Sequence, residues 1–143
     1  MEARFETFTV LINRISRNIR KIKNQEMAEY RLRSAHVSCL YYLYRETGLT
    51  ATELCERCEE DKATVSRALE YLKSEGYLVN DDAAVKRYKN PLTLTEKGQT
   101  VSARVAEKVD CVLAEVDGVL TEEERHAFYC SLTKISNALE QLK

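Results

Sequence analysis

The 143-residue chain contains one proline, four glycines and no tryptophan. Because residues that break helices are scarce, long helices are expected. No apolar run approaches the roughly 20 residues that a membrane span requires. The first residues, MEARFETFTVLINR, place acids early and lack the unbroken apolar stretch of a secretory signal. These absences predict a cytoplasmic protein without a membrane partner.

The five cysteines are odd in number, and with no secretory signal they are expected to be free thiols rather than a disulfide framework. Cys55 and Cys58 lie three residues apart on a predicted short helix and are candidates for redox chemistry. Together with His36 and Cys39 they offer four candidate ligands for a tetrahedral metal site. The pairs His36–Cys39 and Cys55–Cys58 both lack the turn that usually presents metal ligands. Buried thiols are therefore the favoured interpretation, and no metal or other cofactor is predicted.

The net charge of −1 neither favours nor excludes a nucleic-acid partner. Residues 1–35 hold eight Lys/Arg and four Glu, so this segment carries +4 and the remainder −5. A near-neutral chain can still bind DNA when its cations share one face. An enzyme, for example a thiol oxidoreductase, is disfavoured because Cys55-x-x-Cys58 lies inside a helix rather than at a helix start after a strand. No catalytic residue is predicted.

Apolar residues spaced by three and four predict six helices, over about 5–27, 35–47, 51–58, 62–75, 96–117 and from 122 onward. Suitable N-caps precede the last four of them: Thr50, Asp61, Thr95 and Thr121. The apolar side of the second helix is assigned to Val37, Leu40, Tyr41 and Tyr44. Short apolar stretches at 77–79 and 92–94 flank a polar tip and predict a two-stranded hairpin, with Pro91 on an edge strand. The predicted fold is mainly α, a winged helix-turn-helix with a β wing.

The start of the fourth helix has the side chains of a DNA-reading surface. Hydroxyls can reach phosphates or base edges, an arginine can bond guanine with two hydrogen bonds, and small apolar groups can touch a thymine methyl. The predicted contacts are Lys62, Ala63, Thr64, Ser66 and Arg67, with Lys86, Arg87 and Lys89 from the wing. Each segment alone could be a solvated face, but the helix pair, wing and caps occur together. A winged helix that binds protein rather than DNA is the alternative.

The run GLTATELCERCEEDKATVSRALEYLKSEGYLV, followed by KRYKNPLTLTEKG, resembles the MarR (multiple antibiotic resistance regulator) family over nearly the whole chain. The resemblance implies a homodimeric transcriptional regulator, usually a repressor, that binds palindromic operators in double-stranded DNA. It implies one domain over 1–143, with a DNA-binding lobe at 35–98 and dimerisation helices at 1–34 and 99–143. It maps Thr64, Ser66 and Arg67 onto recognition-helix contacts and Arg87 onto the wing tip. At 82–84, Asp-Ala-Ala lacks the arginine of the family's aspartate-x-arginine pattern.

The first and last helices carry apolar stripes that are wide for so small a core. Phe5, Phe8 and Ile12 begin one stripe, and Phe128 and Leu132 begin the other. Such a patch would be exposed on a monomer, so a homodimer is predicted, with an ordinary monomer core as the alternative.

Members of the family often respond to a phenolic or other aromatic anion. By that resemblance, a ligand pocket is predicted from Arg17, His36, Tyr41 and Tyr44, in which tyrosine rings and a cation would suit an aromatic acid. The alternative is that tyrosines at helical spacing belong to the core.

Overall fold

The structure, a computed structural model, describes residues 4–80 and 90–143. In these ranges six α-helices form: α1 Leu11–Glu26, α2 Ser34–Arg45, α3 Ala51–Cys58, α4 Lys62–Ser74, α5 Glu96–Asp117 and α6 Glu122–Gln141. A π-helical turn, Glu6–Val10, precedes α1, and a 3-10 turn, Ala28–Tyr30, follows it. The six predicted helices are confirmed. Within the ranges described, none of them has the length and apolar character needed to cross a bilayer.

The chain divides into two compact units, residues 1–106 and 107–143, and α5 begins in the first and ends in the second. In the first unit α2, α3 and α4 pack on one another around leucines. Leu40, Leu54 and Leu72 are each 0% exposed. Burying one such side chain contributes about 1.5–3 kcal/mol to folding. The core therefore holds the two helices of the helix-turn-helix against α2.

One side-chain assignment on α2 was wrong. Tyr44, which was grouped with Val37 and Leu40, is 38% exposed, whereas Leu43 is buried. Leu43 follows Leu40 by three residues, which places both on one helix face. Tyr44 lies only about 40° from Leu40 around the helix axis, but it stands in the last turn of α2, next to the final residue Arg45, and is exposed there.

The base of the predicted hairpin is present, but no strand is formed in the parts of it that the structure describes. Leu78 and Leu94 make a single antiparallel bridge, flanked by hydrogen bonds from Val79 N to Thr93 O (2.9 Å) and from Thr95 N to Tyr77 O (3.0 Å). The two-stranded wing is thus confirmed only as a pairing at its base. Its predicted tip, residues 81–89, lies outside the described residues.

The second unit begins in the last turns of α5 and contains α6. Thr121 caps α6 reciprocally: its hydroxyl accepts from Glu124 N and its own N–H donates to the Glu124 carboxylate, both at 3.1 Å. Arg125 lies 4.0 Å from the Asp117 carboxylate at the end of α5. The cap was predicted from Thr121 and Glu124.

Candidate nucleic-acid interface

The turn between α3 and α4 is fixed at both ends. Glu59, which follows the last residue of α3, adopts the left-handed conformation with φ 52°. Asp61 caps α4, and its carboxylate accepts a hydrogen bond of 2.7 Å from Thr64 N. That backbone hydrogen bond holds the pKa of Asp61 below its usual value. The cap leaves the first turn of α4 at the surface with a defined direction.

The two faces of α4 differ sharply. Its inward face is buried and consists of Val65, Ala68, Leu69 and Leu72. On the outward face, Lys62, Ala63 and Arg67 are exposed, and Thr64 and Ser66 are partly exposed. The structure thus brings the five predicted α4 residues together on the first two turns. Their contacts with DNA remain a prediction.

Arg67 is oriented by its own helix. Its Nη2 donates to the Thr64 hydroxyl over 3.4 Å, one turn earlier. This long hydrogen bond between exposed groups is weak enough to be exchanged for a base edge or a phosphate. The guanidinium is therefore held beside the first turn of α4 by an exchangeable contact.

A second arginine near the turn is already paired. Arg57 Nε lies 3.0 Å from the Glu46 carboxylate, with further hydrogen bonds at 3.3 Å. This pairing raises the pKa of Arg57. Arg57 accordingly braces α3 against the end of α2, and it was not among the predicted DNA contacts.

The three predicted wing contacts, Lys86, Arg87 and Lys89, lie outside the described residues. The backbone on either side of them is anchored. Leu92 N donates to Leu49 O over 2.8 Å, which ties the returning segment to the loop before α3. The wing therefore begins and ends next to the helix-turn-helix.

Two of the four predicted ligand residues, His36 and Tyr41, are in contact with other aromatic rings. His36 stacks on Tyr71 with ring centroids 4.4 Å apart, and its Nδ1 accepts from Arg33 N at 3.0 Å. Burial, with a contribution from Arg33, lowers the pKa of His36. Tyr41 meets Tyr42 edge to face and lies beneath Arg45. Arg17 and Tyr44 are exposed.

A cavity of about 200 Å³ lies between α3 and α4, and none of the four predicted ligand residues lines it. It is smaller than the roughly 300 Å³ at which pockets for drug-sized ligands begin. The predicted ligand set therefore remains a prediction.

The cysteines pair differently from the sequence pattern. The Cys39 thiol donates a hydrogen bond to Cys58 Sγ, which lowers the pKa of Cys58 and raises that of Cys39. Burial raises the pKa of Cys55. The redox role predicted for Cys55 and Cys58 stays a prediction, and the described cysteines are free thiols. Within 4–80 and 90–143, no three His, Cys, Asp or Glu residues are placed to hold a metal ion.

Comparison with known proteins agrees with this arrangement. Residues 30–87 match the model of the MarR family. The Staphylococcus aureus MepR–DNA complex has a TM-score of 0.83 and 22% identity, covering 92% of this chain and 97% of that one. A MarR family regulator from Neisseria meningitidis has a TM-score of 0.81 and 20% sequence identity, and the match covers 99% of this chain and 96% of that one. A Mycobacterium tuberculosis MarR family protein in complex with p-aminosalicylic acid has a TM-score of 0.65 and 24% sequence identity, and the match covers 90% of this chain and 98% of that one. No curated protein matches the chain.

The family match covers α2 to α4 and the helix-turn-helix described above, and the solved structures extend the likeness of fold to α1, α5 and α6. Members of this family regulate transcription, which confirms the prediction of a regulator rather than an enzyme. Residues 30–87 thus resemble the MarR family of winged-helix transcription regulators, and the chain shares the fold of the solved structures named above.

Proposed function

We propose that the protein is a homodimeric repressor that binds a palindromic operator in double-stranded DNA and is released by a small aromatic acid or a redox signal. In this proposal the first two turns of α4 enter the major groove, and the wing cations Lys86, Arg87 and Lys89 contact the adjacent backbone or minor groove. Residues 35–98 form the DNA-binding lobe, and 1–34 and 99–143 form the dimerisation helices.

The outward face of α4 carries the proposal. Arg67, Thr64 and Ser66 offer charged and hydroxyl donors within two turns, and Ala63 leaves room for a thymine methyl. The positive end of the α4 helix dipole lies at this N-terminus and also favours a nearby phosphate. The structural relative MepR was solved in complex with DNA, which supports DNA binding by this chain.

The homodimer is supported by apolar residues that the single chain leaves exposed. On the π-helical turn, its flanks and α1 these are Phe5, Phe8, Ile12, Ile15, Ile19 and Ile22; on α6 and its end they are Phe128, Leu132, Ile135, Leu139 and Leu142. Phe5 alone is 76% exposed. On each helix, an exposed apolar stripe of this length is typical of a surface that a second copy covers. A twofold pair would place the two α4 helices about 34 Å apart, one turn of DNA.

An aromatic acid is proposed as one signal because a structural relative was solved with p-aminosalicylic acid. In this chain the proposed contacts are Arg17, Tyr44, Tyr41 and His36. Arg17 and Tyr44 have exposed side chains that could turn toward a ligand. His36 would first have to leave Tyr71 and the backbone N–H of Arg33. Binding would thus compete with contacts that hold α2 in place.

The test selects binding sites from a pool of random DNA duplexes. It then measures the affinity of wild type and two variants for the most enriched duplex. Wild type is expected to enrich a palindrome. Arg67→Ala should lose about 1–3 kcal/mol of discrimination at one base pair of each half-site. Lys134→Ala removes a cation from α6, outside the proposed surface, and should match wild type.

Failure of wild type to enrich any duplex would contradict the proposal and favour the alternative, a winged-helix module that binds protein. Equal discrimination between base pairs by Arg67→Ala and wild type would show that Arg67 does not read a base.

A further inference from the structure

The polar side of α6 carries a histidine and a cysteine one turn apart. His126 and Cys130 are both exposed, and Cys130 Sγ lies 3.8 Å from His126 Nε2. At about 100° per residue, each of them lies about 160° around the helix axis from Phe128, which belongs to the exposed apolar stripe. The pair is therefore on the opposite side of α6 from the surface that is proposed to meet a second copy.

The distance between the two atoms is close to that between two ligands of one metal ion. In a tetrahedral zinc site the Zn–S bond is about 2.3 Å and the Zn–N bond about 2.05 Å, which places the ligand sulfur and nitrogen about 3.6 Å apart. The pair has to close by only about 0.2 Å to reach this separation. Residues four apart are neighbours on a helix surface, so α6 alone supplies both ligands.

The charges around the pair are compatible with a divalent cation. The same groove is lined by one carboxylate and one ammonium group, Glu122 and Lys134, whose opposite charges offset each other. Arg125, the other cation that lines the groove, lies 4.0 Å from the Asp117 carboxylate. Thiolate and imidazole are ligands that zinc and related metals prefer, whereas magnesium and calcium prefer oxygen.

We propose that α6 binds one zinc ion, or another divalent cation that prefers sulfur and nitrogen, between His126 Nε2 and Cys130 Sγ. On binding, the Cys130 thiol releases its proton to solvent, the thiolate and the neutral imidazole each form one bond to the cation, and water completes the coordination. In the described parts of the chain no three potential ligands are assembled, so this site has two protein ligands. The cation joins successive turns of α6, and the site is independent of DNA binding.

The first arm of the test measures whether zinc protects Cys130 from alkylation. Full-length protein is reduced, separated from the reductant and treated with iodoacetamide with and without zinc chloride. Trypsin places Cys130 and Cys111, an exposed thiol on α5, on separate peptides, His126–Lys134 and Val109–Arg125. Saturating zinc should slow alkylation of Cys130 about tenfold or more, because only the thiol without a cation reacts, and should leave the rate at Cys111 unchanged. Absence of protection at Cys130, or equal protection of both thiols, would overturn the proposal.

The second arm uses two variants to distinguish a two-ligand site from a single thiol. In His126→Gln, the zinc concentration that half-protects Cys130 should rise about tenfold or more, since loss of even an outer partner of a metal ligand costs about 10–100-fold. In a cobalt titration, Cys130→Ser should lose one equivalent per chain of the thiolate-to-cobalt absorption, and Cys111→Ser should match wild type. Equal zinc protection in wild type and His126→Gln, or unchanged cobalt absorption in Cys130→Ser, would overturn the site. The comparison of Cys130 with Cys111 in wild type requires no variant to fold.

Discussion

Replacing Gly98 with alanine should destabilise the first unit because Gly98 packs directly on backbone. A Cβ at this third residue of α5 would overlap the carbonyl oxygen of Tyr77 and come within 3.2 Å of a Leu94 methyl. The same carbonyl accepts the hydrogen bond from Thr95 N at the base of the wing. A backbone carbonyl cannot rotate aside, so the overlap has to be relieved by separating α5 from the wing base.

The size of the effect follows from two opposing terms. Overpacking of a tight contact costs about 1–3 kcal/mol, and the upper end applies where the obstacle is backbone. Alanine is favoured over glycine inside a helix by about 1 kcal/mol. The expected loss in the free energy of unfolding is therefore about 2 kcal/mol.

Gly118→Ala is the matched control. A Cβ there meets Ala114 O and Glu115 O at 3.4 Å, an ordinary contact, and its φ is not positive. This variant should be neutral or more stable by up to about 1 kcal/mol. Urea unfolding followed by circular dichroism, at one fixed protein concentration, compares the two variants with wild type. Equal stability of Gly98→Ala and Gly118→Ala within about 0.5 kcal/mol would refute the packing argument.

Three further predictions concern the wing, the assembly and pH. Arg87→Ala should weaken DNA binding for all sequences and reduce the slope of log affinity against log salt by about 0.9 for each phosphate that the variant no longer neutralises; an unchanged slope would remove Arg87 from the interface. Light scattering should give twice the 16.5 kDa chain mass, and Ile135→Glu should reduce it to one chain; a monomeric wild type at micromolar concentration would contradict the dimer. The lowered pKa of His36 means that the unfolded chain takes up its proton first, so stability should fall as pH drops below 6.5. His36→Gln should show a smaller fall in acid unfolding experiments, and an equal fall would assign the effect to other groups.

Much of the fold could be predicted because helix boundaries depend on local chemistry. Asp61 and Thr121 were recognisable as caps from their own side chains and the residues that follow, and both form the expected hydrogen bonds. The stripe of Val65, Ala68, Leu69 and Leu72 was identified by spacing alone, and all four are buried. Once the buried stripe of α4 is known, its outward residues follow by geometry.

What could not be predicted depends on contacts between distant segments. Spacing pointed to Cys55 and Cys58 because they share one turn, yet the packing of α3 on α2 gives Cys58 a partner 19 positions earlier. His36, which stays a proposed ligand residue, stacks on Tyr71 of α4, far away in the sequence. No local pattern in the sequence encodes either contact.

The most direct test of the account is photo-crosslinking from the first turn of α4. A benzoylphenylalanine placed at the exposed position of Ala63 should crosslink to a base of a bound duplex upon irradiation. The same group at Lys134 on α6 should give no crosslink to DNA. Crosslinks from the α6 position but not from position 63, on a duplex that the protein binds, would contradict the claim that the outward face of α4 reads DNA.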